Sequence, residues 1–205
     1  MPVVSHADLL EAVWDAVPED AQPERFTLRR DWLLARVTPG ERVLDLGCGT
    51  GEFSAALQAH GAHPLGVDVV AEPLRRARAR HPELEFRQGA LDGPLALDDN
   101  SFDVVWAGEV IEHVVDVVGW LSDVRRVLPS GGRLLLTTPD HPPALLHALA
   151  DDPVAFAAHF EPRADHLHFF NAPMLVELLG DLGFEDVDVD SDGQTLFAQA
   201  VRARF

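Results

Sequence analysis

Apolar and polar positions alternate along the chain with two different periods, and their order predicts the architecture. Two segments open with helical spacing, Asp8–Val17 and Glu24–Val37, separated by the helix-stopping Pro18 and Pro23. In the first, Leu9, Leu10, Val13, Trp14 and Val17 form one stripe. With Phe26, Trp32 and Leu33, that stripe serves either as core packing or as a cap over a pocket. From residue 42 short apolar runs alternate with helical patterns. Strands are predicted at Arg42–Leu46, His63–Asp68, Leu84–Gln88, Phe102–Ala107 and Arg133–Thr138. Helices are predicted between them at Glu52–His60, Glu72–Arg80 and Asp116–Leu128. The tail reads as helix Pro173–Leu182, strand Glu185–Asp190, an Asp192-Gly193 turn and strand Thr195–Arg202. An Asp-Gly pair between two apolar-alternating runs signals a hairpin, so the last strand lies antiparallel.

This order predicts an α/β fold, a seven-stranded, mostly parallel Rossmann-like sheet with helices on both faces and an antiparallel C-terminal hairpin. The 205 residues suit one domain. Its parts are a helical cap at 1–39, a cofactor-binding core at 40–140, an insert at 141–171, and a C-terminal helix and hairpin at 172–205. The insert carries prolines and five histidines and reads as an irregular roof over the ligand crevice. Its His141, His147 and His159 are expected on the roof's surface.

The glycine-rich run Asp45-Leu46-Gly47-Cys48-Gly49-Thr50-Gly51 follows a strand and opens a helix, where the backbone can approach a ligand closely. Asp68 ends the next strand, placed to accept hydrogen bonds from ribose hydroxyls. A dinucleotide loop would be Gly-x-Gly-x-x-Gly with its helix start open to pyrophosphate. Here the loop is Gly-x-Gly-x-Gly, and Glu52 and Asp45 bring negative charge that suits a cationic ligand without phosphate.

Residues 40–138 resemble the class I S-adenosylmethionine-dependent methyltransferases. The resemblance is carried by this loop, Gly66-Val67-Asp68, Asn100-Ser101-Phe102-Asp103-Val104-Val105, and Leu128-Pro129-Ser130-Gly131-Gly132-Arg133-Leu134. It implies S-adenosylmethionine as cofactor, with Asp45, Gly47, Cys48, Gly49 and Gly51 near its methionine part and Asp68 and Val69 at the ribose. Ala90, Leu91 and Asp92 would face the adenine, and Gly108 would lie beside the donor. Many relatives carry Asp where Ala90 stands, so the adenine contact falls to Asp92, to a water or to nothing. Arg30, or its neighbour Arg29, would reach the donor's carboxylate.

Beyond the fourth strand lies Glu109-Val110-Ile111-Glu112-His113, which on a helical turn would put Glu109, Glu112 and His113 on one face. Glu-x-x-Glu-His resembles ubiquinone-pathway catechol O-methyltransferases and small-RNA terminal 2′-O-methyltransferases. Both have a later histidine in an Asp-His context, matched here by His166 in Asp165-His166, with His168 as the alternative. The resemblance implies a divalent cation (Mg, Mn or Zn) on Glu109, Glu112, His113 and His166. Without a metal, His113 and Glu109 are the candidate catalytic residues, His113 acting as general base.

Charge and composition narrow the partners. A formal net charge of −18 makes nucleic acid a poor partner and a small-molecule methyl acceptor the better one. Arg75, Arg76, Arg78 and Arg80, the densest basic cluster, read as a solvated helix face. Cys48 is the single cysteine, so no internal disulfide forms. No membrane-spanning run is present, and the first residues lack signal-peptide order, so a cytoplasmic location is expected. Nothing in the pattern fixes an oligomeric state. The expected activity is methyl transfer to an oxygen of a phenol, quinol or sugar hydroxyl. The rivals are an RNA terminal 2′-O-methyltransferase and a non-catalytic cofactor-binding regulatory subunit.

Overall fold

The structure, a computed structural model, describes residues 6–90, 93–160 and 166–204, with the backbone alone at 6–9. Two helices, α1 (His6–Ala16) and α2 (Phe26–Leu34), precede β1 (Arg42–Leu46), α3 (Glu52–Ala59), β2 (His63–Asp68), α4 (Ala71–Arg80) and β3 (Glu85–Gln88). Then come β4 (Val104–Gly108), α5 (Val117–Val127), β5 (Arg133–Pro139), α6 (Pro143–Ala150) and α7 (Pro153–His159). The chain closes with α8 (Ala172–Asp181), β6 (Phe184–Ser191) and β7 (Thr195–Arg202).

All seven strands join one sheet in the order β3-β2-β1-β4-β5-β7-β6. The first five strands are parallel, and β7 runs antiparallel to both β5 and β6. The expected fold class therefore holds. Alternate side chains of the central strands feed two cores. Leu44, Val105 and Leu136 pack with Leu121 and Val124 of α5 and Leu175 and Leu179 of α8. Val43, Val104, Trp106 and Leu135 pack on the other face with Leu33 of α2 and Phe53 and Leu57 of α3. Cover on both faces is what makes parallel strands read as unbroken apolar runs. No helix among the described residues is long and apolar enough to cross a membrane.

Three local expectations are corrected. The first part of the insert is not irregular: α6 and α7 form, each with proline in its first turn, where the missing N–H costs no helical hydrogen bond. Asp152 caps α7 by accepting from the Val154 and Ala155 amides. His141 is buried against Phe169 and His159, while His147 is exposed as expected. Arg76 does not lie on a solvated face. It is buried and donates to the Trp14, Val17 and Pro18 carbonyls at and just beyond the end of α1. Glu11 returns the contact by accepting from the Ala71 and Glu72 amides at the start of α4. The two helices thus cap each other, and α1 is held across the sheet's carboxyl edge.

Candidate active site

A cleft of about 640 Å³ opens at the carboxyl ends of β1, β2 and β4. Leu46, Gly47, Asp68, Val69, Ala90, Val110 and His113 are among its lining residues, and Leu10 reaches it from α1. The Trp14 ring also lies over the glycine loop, since a Cβ on Gly49 would sit 3.2 Å from it. Leu10 and Trp14 of the first helix thus lie at the cleft and over its glycine loop, whereas Leu33 of α2 belongs to the core.

The glycine loop is tight for a physical reason. Gly47 has φ +76°, and a Cβ there would lie 2.4 Å from Val110 Cγ2, so the loop after β1 and the loop after β4 touch. Asp68, buried at the end of β2, accepts the amides of Gly49 and Val70, both at 2.9 Å. Burial raises its pKa, and those amides oppose the shift. A carboxylate has about four acceptor positions. With the Val69 amide also close, these amides leave acceptor capacity for a ribose hydroxyl at the cleft. Cys48 is buried, and burial pushes its thiol pKa up, consistent with a packing role.

The charge argument drawn from Glu52 and Asp45 is weaker than the sequence implies. Glu52 turns outward to Arg80, at 2.6 Å, and accepts the Thr50 hydroxyl at 2.6 Å. Asp45 is fully enclosed, and burial pushes it up to about 7, against the Ser54 hydroxyl that hydrogen-bonds it at 2.6 Å.

Of the two arginines in α2, Arg29 is the one brought inside. Arg30 pairs with Asp31 at 2.7 Å and stays partly exposed. Arg29 is 3 % exposed, lies over the rings of Phe53 and Trp106, and donates to Thr137 Oγ1 and the Glu24 carbonyl, both at 3.0 Å. Burial lowers its pKa, while Glu109, Glu112, Glu24 and Asp45 favour the charged form. Gly108 makes room for it, because a Cβ there would lie 2.3 Å from Arg29 Nη2.

Glu109, Glu112 and His113 do not share one helical turn. Glu109 has φ +58°, a left-handed conformation that breaks the helix before it starts, and only Ile111–His113 form a short 3₁₀ turn. Glu109 accordingly points toward Arg29, with 3.8 Å between Oε1 and Nε. Glu112, His113 and His166 do converge, with one ligand-type atom from each lying within 4.8 Å of the others. Glu112 is 1 % exposed; its Oε2 accepts the Thr138 hydroxyl at 2.9 Å, and its buried Oε1 has no hydrogen-bond partner. Burial, reinforced by the charge of Glu109, pushes its pKa up to about 8. The His113 and His166 rings meet edge to face at 4.9 Å. His168 is excluded from this cluster, since its Nε2 lies 2.9 Å from the Val114 carbonyl oxygen. Asp165, Leu91 and Asp92 fall outside the described residues.

Sequence reasoning passed over Thr137 and Thr138, the partners of Arg29 and Glu112. Their signal was legible as two hydroxyls ending an otherwise apolar strand. Arg25, which anchors α2 at 3.0 Å from Asp192, carried no sequence signal.

A sheet with a reversed final hairpin, a glycine loop after β1 and an acid ending β2 define a Rossmann-like nucleoside-binding enzyme. Comparison makes this specific. A model described as a methyltransferase domain matches residues 19–189. The chain is 32% identical over 166 residues to the ubiquinone biosynthesis O-methyltransferase of Hahella chejuensis, covering 78% of this chain and 69% of that protein. It is 33% identical over 166 residues to the same-named protein of Xanthomonas campestris pv. campestris (strain B100), with the same coverage. The fold matches phosphoethanolamine N-methyltransferase 2 of Haemonchus contortus, solved with S-adenosyl-L-methionine, at TM-score 0.69 and 16% identity, covering 98% of this chain and 58% of that one. The chain belongs to the methyltransferase-domain family, and it is an S-adenosylmethionine-dependent methyltransferase.

Two outcomes test this geometry. Gly108→Ala forces a methyl against Arg29 and should destabilise the fold by about 1–3 kcal/mol, read as a lower denaturant midpoint. Asp45 has a folded pKa raised far above its unfolded value of about 3.9. Between those values the native state holds the extra proton, so stability falls as pH rises from about 4 to 7. Asp45→Asn keeps an acceptor for Ser54 and should exceed wild type by about 1–3 kcal/mol at pH 8, with the advantage gone at pH 4. An unchanged difference across that range would contradict the burial of an ionisable acid.

Proposed function

We propose that this methyltransferase acts on an oxygen of a small molecule, a phenol, quinol or sugar hydroxyl. The observation that carries this reading is the convergence of Glu112, His113 and His166 at the cleft, with a buried Glu112 oxygen left unpartnered. The names of the relatives in ubiquinone biosynthesis support an oxygen acceptor. In this reading the whole chain works as one methyltransferase domain.

S-adenosylmethionine, when bound, supplies a methyl group on a positively charged sulfur. The chain's part is to bind and align it. Gly47 and Gly49 let the loop backbone approach the donor, Asp68 takes the ribose hydroxyls with Val69 beside it, and Ala90 faces the adenine. Arg29, in place of Arg30, takes the donor's carboxylate beside Gly108. His113 lines the cleft and is placed to receive the acceptor's proton.

Glu112, His113 and His166 fit one divalent cation, a set of one oxygen and two nitrogens that suits Mg²⁺, Mn²⁺ or Zn²⁺ with acceptor oxygens completing it. Such a cation would lower the pKa of a hydroxyl near it. Glu109 stands apart, held toward Arg29. The backbone prepares the cluster: the Glu112 carbonyl accepts the amides of Leu167 and His168, which holds the segment bearing His166 against His113.

Asp68→Ala should weaken binding of S-adenosylhomocysteine by about 1.5–3 kcal/mol in calorimetry, the value of charge-assisted hydrogen bonds. Chelation should abolish most activity toward a catechol, and Mg²⁺, Mn²⁺ or Zn²⁺ should restore it in wild type but not in Glu112→Ala. Cation affinity should fall as pH drops below about 8, because burial raises the pKa of Glu112 and the cation must displace the proton it keeps. Full activity after chelation, with Glu112→Ala like wild type, would remove the cation and leave His113 as sole base. Its loss should then cost about 10²–10⁴ in rate.

A further inference from the structure

Arg25 and Asp192 lie outside the cleft, yet a short chain of contacts joins them to it. Arg25 precedes α2 with φ +52°, a left-handed conformation that a non-glycine residue keeps only where its surroundings hold it. The conformation aims its guanidinium at the turn between β6 and β7. Nη1 donates to Asp192 Oδ1 at 3.0 Å and to Thr195 Oγ1 at 2.7 Å, and Nη2 donates to Asp192 Oδ2. This is a bidentate fork, the stronger form of an arginine–carboxylate pair.

Asp192 is itself fixed. Its Oδ1 also accepts the Gln194 amide at 3.1 Å and the Thr195 amide at 3.0 Å. The turn is tied to the exit of β5, where the Asp140 amide donates to the Gln194 carbonyl at 2.8 Å and the Ser191 hydroxyl donates to Asp140. Arg25 therefore grips a rigid part of the sheet's carboxyl edge. Its hydrogen bond holds Asp192 down at about 2, so the pair is fully charged at any working pH.

One helical turn further on stands Arg29, whose amide donates to the Arg25 carbonyl at 3.1 Å. Only Arg29 and Leu33 of α2 are buried. Leu33 draws the helix inward by apolar burial, but Arg29 does the opposite, because a desolvated guanidinium is favoured by water. A helix whose first buried residue is a cation needs an anchor at that end.

We infer that Arg25 and Asp192 are positioning residues for donor binding, holding the first turn of α2 so that Arg29 stays beside Gly108 at the end of β4. The inference rests on the proposed contact between Arg29 and the donor's carboxylate. It predicts an effect confined to ligands that carry that carboxylate.

Calorimetry on the full chain tests it with two probes: S-adenosylhomocysteine, which has the carboxylate, and 5′-methylthioadenosine, which lacks the whole amino-acid part. Arg25→Met and Asp192→Asn should each weaken S-adenosylhomocysteine about 5–20-fold and leave 5′-methylthioadenosine within about 2-fold. The double variant should be no worse than the weaker single, because one contact has been removed twice. Arg25→Met should add nothing to Arg29→Met. Arg25→Lys keeps the charge without the fork, so it should lose about 3-fold, and it serves where Arg25→Met does not fold. Equal losses for both probes would mean a general structural defect and overturn the inference. So would an Arg25→Met loss that persists in full on the Arg29→Met background. If Arg29→Met weakens S-adenosylhomocysteine but Arg25→Met and Arg25→Lys do not, the positioning role alone is wrong. If Arg29→Met binds S-adenosylhomocysteine like wild type, the carboxylate contact falls and the positioning role falls with it.

Discussion

The site depends on one topological constraint, the divergence of the chain from two neighbouring strands. β1 and β4 lie side by side, paired from Val43↔Val104 to Asp45↔Trp106. From β1 the chain leaves toward β2, and from β4 toward β5, on the other side of the sheet. At such a switch point the two exits part and leave a crevice at the carboxyl ends. Everything chemical in the protein stands on its walls. The glycine loop and Asp68 come from the β1–β2 side; Glu109, Glu112 and His113 come from the β4 side. The walls touch where Val110 meets Gly47, and the contact allows no side chain on that glycine. The sequence requirement at residue 47 thus follows from topology before any ligand is considered.

The second constraint is electrostatic. Asp68 lines the crevice, and Asp45, Glu109 and Glu112 lie behind it, close enough to Arg29 to favour its charge. In the protein alone, burial works against ionisation of Asp45 and Glu112, which retain protons toward neutral pH. A ligand carrying positive charge reverses that balance. A sulfonium near the loop or a cation near Glu112 would let the acids ionise and be stabilised by them in turn. The surface charge of −18 is a different matter, because most of it is solvated and screened. Binding of a cationic donor is favoured by the few enclosed carboxylates, which water does not screen.

Much of the fold was legible in the sequence because burial on both faces of a parallel sheet writes itself as short apolar runs between helical patterns. The edges of each strand fell within a residue or two of the structure, and the Asp192-Gly193 turn told the final reversal. The glycine loop and Asp68 were legible for the same reason: close approach and strand ends both leave fixed residue types. Glu109 was misplaced because spacing alone assumes a continuous helix, and a left-handed residue in a non-glycine position leaves no pattern. The choice between Arg29 and Arg30 was also beyond the pattern. Both are long cations in one helix, and what decides between them is the space beside Gly108 and the hydroxyl of Thr137. The insert was misread because its prolines were taken as breakers, although the first turn of a helix accepts them.

The same reasoning explains why the N-terminal helix is held so firmly to a part of the chain with which it shares little apolar surface. A helix end exposes carbonyls, and a helix start exposes amides, that must find partners. Arg76 supplies donors to the end of α1, and Glu11 supplies acceptors to the start of α4. Each helix therefore satisfies the other's terminus, and neither arrangement survives alone. The position so fixed is not neutral for the site: it brings Trp14 over Gly49 and Leu10 to the cleft wall. Arg25 does the same service for α2 through the hairpin. Both helices are thus held at charged ends, and α2 also by its side, where Leu33 is buried and Trp32 packs against Trp106 and Phe197. Apolar burial is non-directional, so it is the charged ends that fix where each helix sits relative to the cleft.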